Sequence, residues 1–135
     1  MATPPKLPRF LYKILPSTIE LPSTIPPSFT LPRTSLDIDS GFIHFSTSAQ
    51  VPYVLNRFFA GPEHSNVWLV KIDYADLEHD GNVKWEEAGS NKTLFAHLYD
   101  GEVKGSKVVE ARKVEMRITW DESLQGLADE GWLLD

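Results

Sequence analysis

Two histidines in this chain stand where strands are expected. His44 lies in "FIHFS" and His97 in "FAHLY", each among apolar residues and each followed two positions later by a hydroxyl, Ser46 and Tyr99. Side chains two apart on a strand share a face, so each segment sets an imidazole beside a hydroxyl. Imidazole is the side chain that changes protonation near neutral pH, and this pairing suits acid–base work or the binding of a phosphate. Either histidine has an alternative reading, a core residue satisfied by a hydrogen bond. Their equivalent contexts favour a shared cleft. His64 in "PEHSN" and His79 in "LEHDG" sit in polar turns and read as solvated.

Other residue types extend the candidate site. Thr47 adds a second hydroxyl directly after Ser46, and Trp85-Glu86 in "KWEE" offers an aromatic platform beside a carboxylate. The plainer reading of that pair is a tryptophan packed on the core with its glutamates in water. Asp37, Asp39 and Asp73 read as caps of turns. The two histidines and Glu86 lack the close spacing of a zinc site, and no metal is expected. The chain has no cysteine, which removes disulfides and thiol catalysis. A nucleophile elbow and a phosphate-cradling P-loop are absent.

The elements that must position these residues follow from periodicity. Phe10, Tyr12 and Ile14 alternate with Leu11, Lys13 and Leu15, predicting a strand over "RFLYKIL". "PSTIELPSTIPPSFTLPRTS" holds five of the ten prolines; prolines remove backbone donors, so a loop is expected over 16–36. "GFIHFST" reads as a strand, and Thr47 with Gln50 fits a capping box that starts a helix. Val51, Val54, Leu55, Phe58 and Phe59 then mark its core face, with Gly61 as the stop. "NVWLVKID" predicts a central strand, "YADLEHDG" a turn or one helical turn, and "NVKWEEAG" and "LFAHLYDG" two more strands. "SKVVEARKVEMRITW" alternates as one long strand or a hairpin. A short helix capped by Asp121 and weakened by Gly126 is expected in the tail extension, 119–135. The predicted class is α+β: strands dominate, with one main early helix.

At 135 residues the chain suits a single domain. A net charge of −6 argues against non-specific nucleic-acid binding. The first residues lack the apolar core of a signal peptide, and no apolar run approaches a membrane span, so a cytoplasmic location is the default expectation.

The ordered set "LYKIL", "SGFIHFST", "QV", "RFFAG", "LVKID", "WE" and "FAHLY" resembles the small family catalogued as domain of unknown function 952, from about residue 10 to 115. This chain departs from the family pattern with Ser40 in place of an aspartate and Ala96 in place of a proline. The proline-rich segment and the tail after Met116 lie outside the pattern. That family in turn looks like a distant relative of the ADP-ribosyltransferase fold, nearest in motif style to RNA 2′-phosphotransferases, in which two packed, mostly antiparallel sheets clasp NAD. The resemblance implies that Tyr12-Lys13 matches a first-strand motif that usually carries a histidine, with Lys13 able to hold a phosphate or hydroxyl. It implies that His44 and Ser46 match an H-x-S motif that contacts ribose and phosphate. The late-strand glutamate of such enzymes has no clear counterpart: Glu110 and Glu115 are placed there only by position, and Glu86 is the better-placed acid.

Three functions compete on this reading. The first is an enzyme, or a degenerate one, acting on NAD or an ADP-ribosylated substrate. In it His44, His97 and Glu86 are catalytic, Lys13, Ser46, Thr47, Trp85 and Tyr99 hold the ligand, and NAD enters as a substrate. The second is a phosphoesterase for cyclic phosphates, with His44-Phe-Ser46 as half of a twin motif whose second half fails, because His97-Leu-Tyr99 has a phenol in place of the small hydroxyl. The third is a non-catalytic module that binds a nucleotide or a modified peptide.

Overall fold

A computed structural model describes residues 3–59, 65–88, 91–116 and 119–134. Its strands form two three-stranded sheets, and every pairing is antiparallel. In the first sheet β1 (Phe10–Pro16), β3 (Asn66–Asp73) and β6 (Val108–Glu115) run in the order β1-β3-β6. In the second, β2 (Ile43–His44), β4 (Asn82–Ala88) and β5 (Asn91–Tyr99) run in the order β2-β5-β4. The helices are α1 (Ser35–Ser40), α2 (Val51–Phe58), α3 (Tyr74–Asp80) and α4 (Trp120–Asp129). The class is α+β, and none of the helices of the described residues is long and apolar enough to cross a membrane.

The near-continuous apolar runs of β1 and β3 have a direct cause: both strands are buried on both faces. Leu11, Leu15, Val70 and Ile72 face Ile43, Trp85, Ala96 and Leu98 of the second sheet and Phe45 just after β2. Phe10, Tyr12, Ile14, Val67 and Leu69 face the other way, onto Val51 and Leu55 of α2 and Trp120 and Leu124 of α4. One bridge ties the sheets together. Tyr12 N–H donates to the Ser46 carbonyl at 2.8 Å, and Ser46 N–H returns a bond to the Tyr12 carbonyl at 2.9 Å. That bridge brings the segment after β2 against β1, and with it the two halves of the site described below.

Several expectations need correction. The tail is no appendage: Trp120, Leu124, Trp132 and Leu133 complete the second core, and the Tyr12 hydroxyl donates to a carbonyl of the tail, Leu134, at 2.9 Å. Its helix is the longest in the described chain, and Thr119, not Asp121, caps it. "YADLEHD" is a seven-residue helix capped by Asp73. The end of the proline-rich stretch becomes α1, started by a Thr34–Asp37 capping box and ended by Gly41 in the left-handed region at φ 84°, a conformation glycine adopts at little cost. Helix α2 begins at Val51, a turn later than the expected cap. Thr47 N–H donates to Gln50 Oε1, but no side chain caps the helix N-terminus. Gly61 lies outside the described residues.

The proline-rich stretch is pinned by its own backbone. Thr30 and Lys104 form a bridge, Leu31 N–H donates to the Val103 carbonyl at 2.8 Å, and Gly105 packs so tightly that a Cβ there would sit 1.9 Å from the Pro26 carbonyl oxygen. Gly105→Ala therefore has to push the loop backbone aside. The expected cost is roughly 1–3 kcal/mol, the scale of forced overpacking, measured by urea unfolding. A neutral result would mean that the loop yields freely.

Candidate functional site

Strand register opposes the two histidines. His44 of β2 pairs directly with His97 of β5, and across an antiparallel pair directly opposed side chains stand close on the same face. The rings meet edge to face with centroids 5.1 Å apart. Phe42, two residues before His44, lies over both: its ring stacks on His97 at 4.2 Å and reaches His44 at 4.6 Å.

Each imidazole is backed by a carboxylate through Nδ1, at the same distance. His44 Nδ1 lies 2.8 Å from Asp37 Oδ1, and His97 Nδ1 lies 2.8 Å from Glu86 Oε1. An anion at Nδ1 keeps the proton of a neutral imidazole there and leaves Nε2 with its lone pair. In His97, Nε2 is buried without a hydrogen-bond partner, a condition that normally costs stability. The residue is only 3% exposed, and burial pulls its pKa below the usual value despite the Glu86 bond. His97 is therefore neutral at neutral pH. His44 is the more open of the two, with 26% of its side chain exposed.

Asp37 is the hub. Fully buried, its carboxylate takes bonds from the Lys13 ammonium at 2.7 and 2.8 Å, from Thr34 N–H, from His44 N–H and from the His44 ring. Burial alone would raise its pKa; the His44 bond and the Lys13 charge outweigh that and hold the carboxyl well below its usual range. The Lys13 ammonium also donates to the His44 carbonyl at 2.9 Å. One lysine thus fixes both the backbone of His44 and the carboxylate behind its ring.

Glu86 plays the matching part for His97. It accepts from the Tyr99 hydroxyl at 2.6 Å, and the Tyr99 and His97 bonds lower its pKa. Reciprocally, the Glu86 bond pushes Tyr99 up to about 12. Tyr99 therefore remains a neutral donor.

A cleft of about 560 Å³ opens against this pair, within the size range of small-ligand sites. Lys13, His44, Ser46 and His97 line it, with Tyr53, Arg57 and Phe58 of α2 and Leu36 of α1. The structure thus places four of the sequence candidates in the lining and the others outside it. Glu86 and Tyr99 stay joined to His97 through the Glu86 carboxylate. Thr47 borders a different hollow, shared with the N-terminal segment. Trp85 is 7% exposed in the core, where its indole N–H donates to the Tyr74 hydroxyl at 3.2 Å. It is no stacking platform, because Trp85 and Glu86 are neighbours on a strand and point to opposite faces. Lys13 lies at the cleft floor, 3% exposed and committed to Asp37. Glu110 and Glu115 are exposed on β6, at the edge of the first sheet and outside the cleft lining. No cluster of three or more potential metal ligands exists among the described residues.

The sequence reading missed two features. Asp37 was expected only as a cap; it does complete the α1 capping box, and the same carboxylate anchors His44. Phe58 was expected in the core, but it is 55% exposed and lies on the cleft. The apolar face of α2 is shared between the core, through Val51 and Leu55, and the cleft.

Comparison with known proteins places this geometry. Residues 27–111 match the model of a family described as Protein of unknown function (DUF952), a segment that includes Asp37, His44, Glu86 and His97. No curated protein matches the chain. The crystal structure of protein CC0527 from Caulobacter crescentus is similar, with a TM-score of 0.63 at 20% identity over 86% of this chain and 98% of that one. A double mutant of the same protein gives 0.62 at 19% identity over the same shares. At that identity the likeness concerns the fold alone.

Proposed function

The chain belongs to the DUF952 family, and we propose that its cleft binds a ribose-phosphate nucleotide and acts on it with His44 and His97 as a proton-transferring pair. The observation that supports this reading is the opposed histidine pair, each ring held by a carboxylate at Nδ1. Two imidazoles so arranged are a general base and a general acid for one reaction.

A cyclic phosphate diester of ribose suits them. His97, neutral because it is buried, takes a proton from water through Nε2 as the water oxygen bonds to phosphorus, a step that requires the bound substrate to open that buried atom to water. The phosphorus–ribose oxygen bond breaks, and His44 in its protonated form gives that alkoxide a proton. A phosphate monoester results and both imidazoles are then restored by proton exchange with water. Ser46, on the same strand face as His44, supplies a hydroxyl for the phosphate or ribose oxygens.

A second reading, binding of NAD or ADP-ribose, draws on the size of the cleft and the aromatic side chains Tyr53, Phe58 and Phe95 that line it. Transfer from NAD would break the nicotinamide–ribose bond and build positive charge on the sugar, which a facing carboxylate stabilises. Glu86 does not line the cleft, and no described residue that lines it carries a carboxylate. Under this reading the protein is a binder of such nucleotides.

The test incubates purified protein with 2′,3′-cyclic AMP, NAD and ADP-ribose. Conversion of the cyclic nucleotide to a monophosphate is expected. Nicotinamide release in its place would move the assignment to NAD chemistry. A rise in melting temperature with NAD or ADP-ribose and no turnover would establish the binding module, and no response to any of the three removes the nucleotide reading.

A further inference from the structure

On the cleft side of α2, Tyr53, Val54, Arg57 and Phe58 repeat at i, i+1, i+4 and i+5, the spacing of one helix flank. They make an uncommon surface. Tyr53 is 40% and Phe58 55% exposed, and Leu36, across the cleft on α1, is 52% exposed, so large apolar groups gather at one mouth where isolated ones would be ordinary. Between the two aromatic residues in sequence stands Arg57, whose guanidinium carbon lies 5.6 Å from the Phe58 ring centre. No carboxylate pairs with Arg57 among the described residues. The other cation of the cleft, Lys13, is spent on Asp37.

The charge balance gives this arrangement a purpose. The chain carries a net charge of −6, which repels phosphate at long range. A phosphorylated ligand therefore needs a local cation that is not already neutralised, and among the described residues that line the cleft Arg57 is that cation. A guanidinium also engages phosphate through two parallel bonds, and backing it with an aromatic ring limits the freedom lost on binding. An apolar wall and a phosphate anchor on one helix flank select a ligand that has both parts.

We propose that Arg57 is the phosphate anchor of the cleft and that Tyr53 and Phe58 form the wall against which a nucleobase lies, making the ligand a nucleoside monophosphate or its cyclic ester. This deepens the nucleotide reading and rests on it for the location of the ligand. His97, whose Nε2 is buried without a partner, lines the same cleft.

The experiment measures Kd for AMP, adenosine and inorganic phosphate by calorimetry on the wild-type chain, Arg57→Ala, Tyr53→Ala and Phe58→Ala, with melting temperatures alongside. All three side chains are exposed, so the variants are expected to melt with the wild type. AMP should bind wild-type protein roughly 10- to 100-fold more tightly than adenosine, the range of a charged hydrogen-bonded contact. Arg57→Ala should erase that difference, and the two aromatic variants should weaken AMP and adenosine alike. Equal binding of AMP by wild type and Arg57→Ala, or of AMP and adenosine by wild type, overturns the anchor. Turnover of 2′,3′-cyclic AMP with a KM unchanged in Arg57→Ala overturns the anchor alone and leaves the histidine chemistry standing. Arg57-dependent AMP binding without any turnover supports the anchor and removes the histidine chemistry. No binding and no turnover in the wild type overturns both.

Discussion

Asp37→Ala is expected to lower stability by about 3–5 kcal/mol, the cost of leaving one member of a buried ion pair without the other. Against a typical total of about 5–15 kcal/mol, that loss brings the protein near unfolding. The reasoning is specific to this carboxylate. Lys13 is 3% exposed and has no second anion in contact among the described residues, and burial already pulls its ammonium below the usual lysine range, with Asp37 as the main opposing influence. Removing Asp37 also strips partners from Thr34 N–H and His44 N–H. Replacing both members, as Lys13→Met with Asp37→Leu, should recover much of the loss, because an apolar pair carries no desolvation penalty, while His44 stays unanchored. Urea unfolding of the single and double variants checks this; an Asp37→Ala protein within about 1 kcal/mol of wild type on that scale refutes the hub.

The same group sets an acid limit. Its folded pKa is depressed, so its contribution is complete above the ordinary value of 3.8 and is lost as pH falls below it. The wild-type urea midpoint should decline through that range, and the decline should be shallower in Asp37→Asn. His97 adds a step at higher pH. Its folded pKa is also depressed, so stability is intact above 6.5 and starts to fall as pH drops through that value, when the unfolded chain takes up the proton first.

The parts of this molecule that were legible in its sequence are those governed by a period of two. Alternation in "RFLYKIL" and "LFAHLYDG" assigned faces that the structure keeps: Phe10, Tyr12 and Ile14 share one core, and Leu11 and Leu15 the other. The same alternation separates Trp85 from Glu86, and applying it would have kept Trp85 out of the site. Helix α1 was hidden because six residues beside prolines give too little periodicity, although Thr34 and Asp37 carry a capping signature. Asp37 as an anchor was not legible for a different reason. Its partners lie 24 residues before it and seven after it, and no local pattern tells one carboxylate's distant partner from another's. Phe58 was misassigned because a helix flank that lines a cleft has the same composition as one that lines a core.

Replacement of His97 by asparagine is expected to reduce turnover of a cyclic nucleotide by roughly 10²–10⁴-fold, the usual contribution of a positioned general base. The same loss is expected for His44→Asn, and the double variant should be little worse than either, because the two act in one proton relay and effects within a unit do not add. Glu86→Gln separates positioning from catalysis. Glu86 does not line the cleft, so its replacement leaves both imidazoles in place while removing the anion that fixes the His97 tautomer. The Glu86 bond raises the pKa of His97 against the stronger effect of burial. Without it the pKa falls further, and the acid limb of kcat/KM should move to lower pH while the plateau drops. A base held only by packing would show neither change, and a plateau that drops with no movement of the limb would mean that Glu86 acts on something other than His97. Asp37 is a poorer test for His44, since its loss also leaves Lys13 without its anion in the floor of the site.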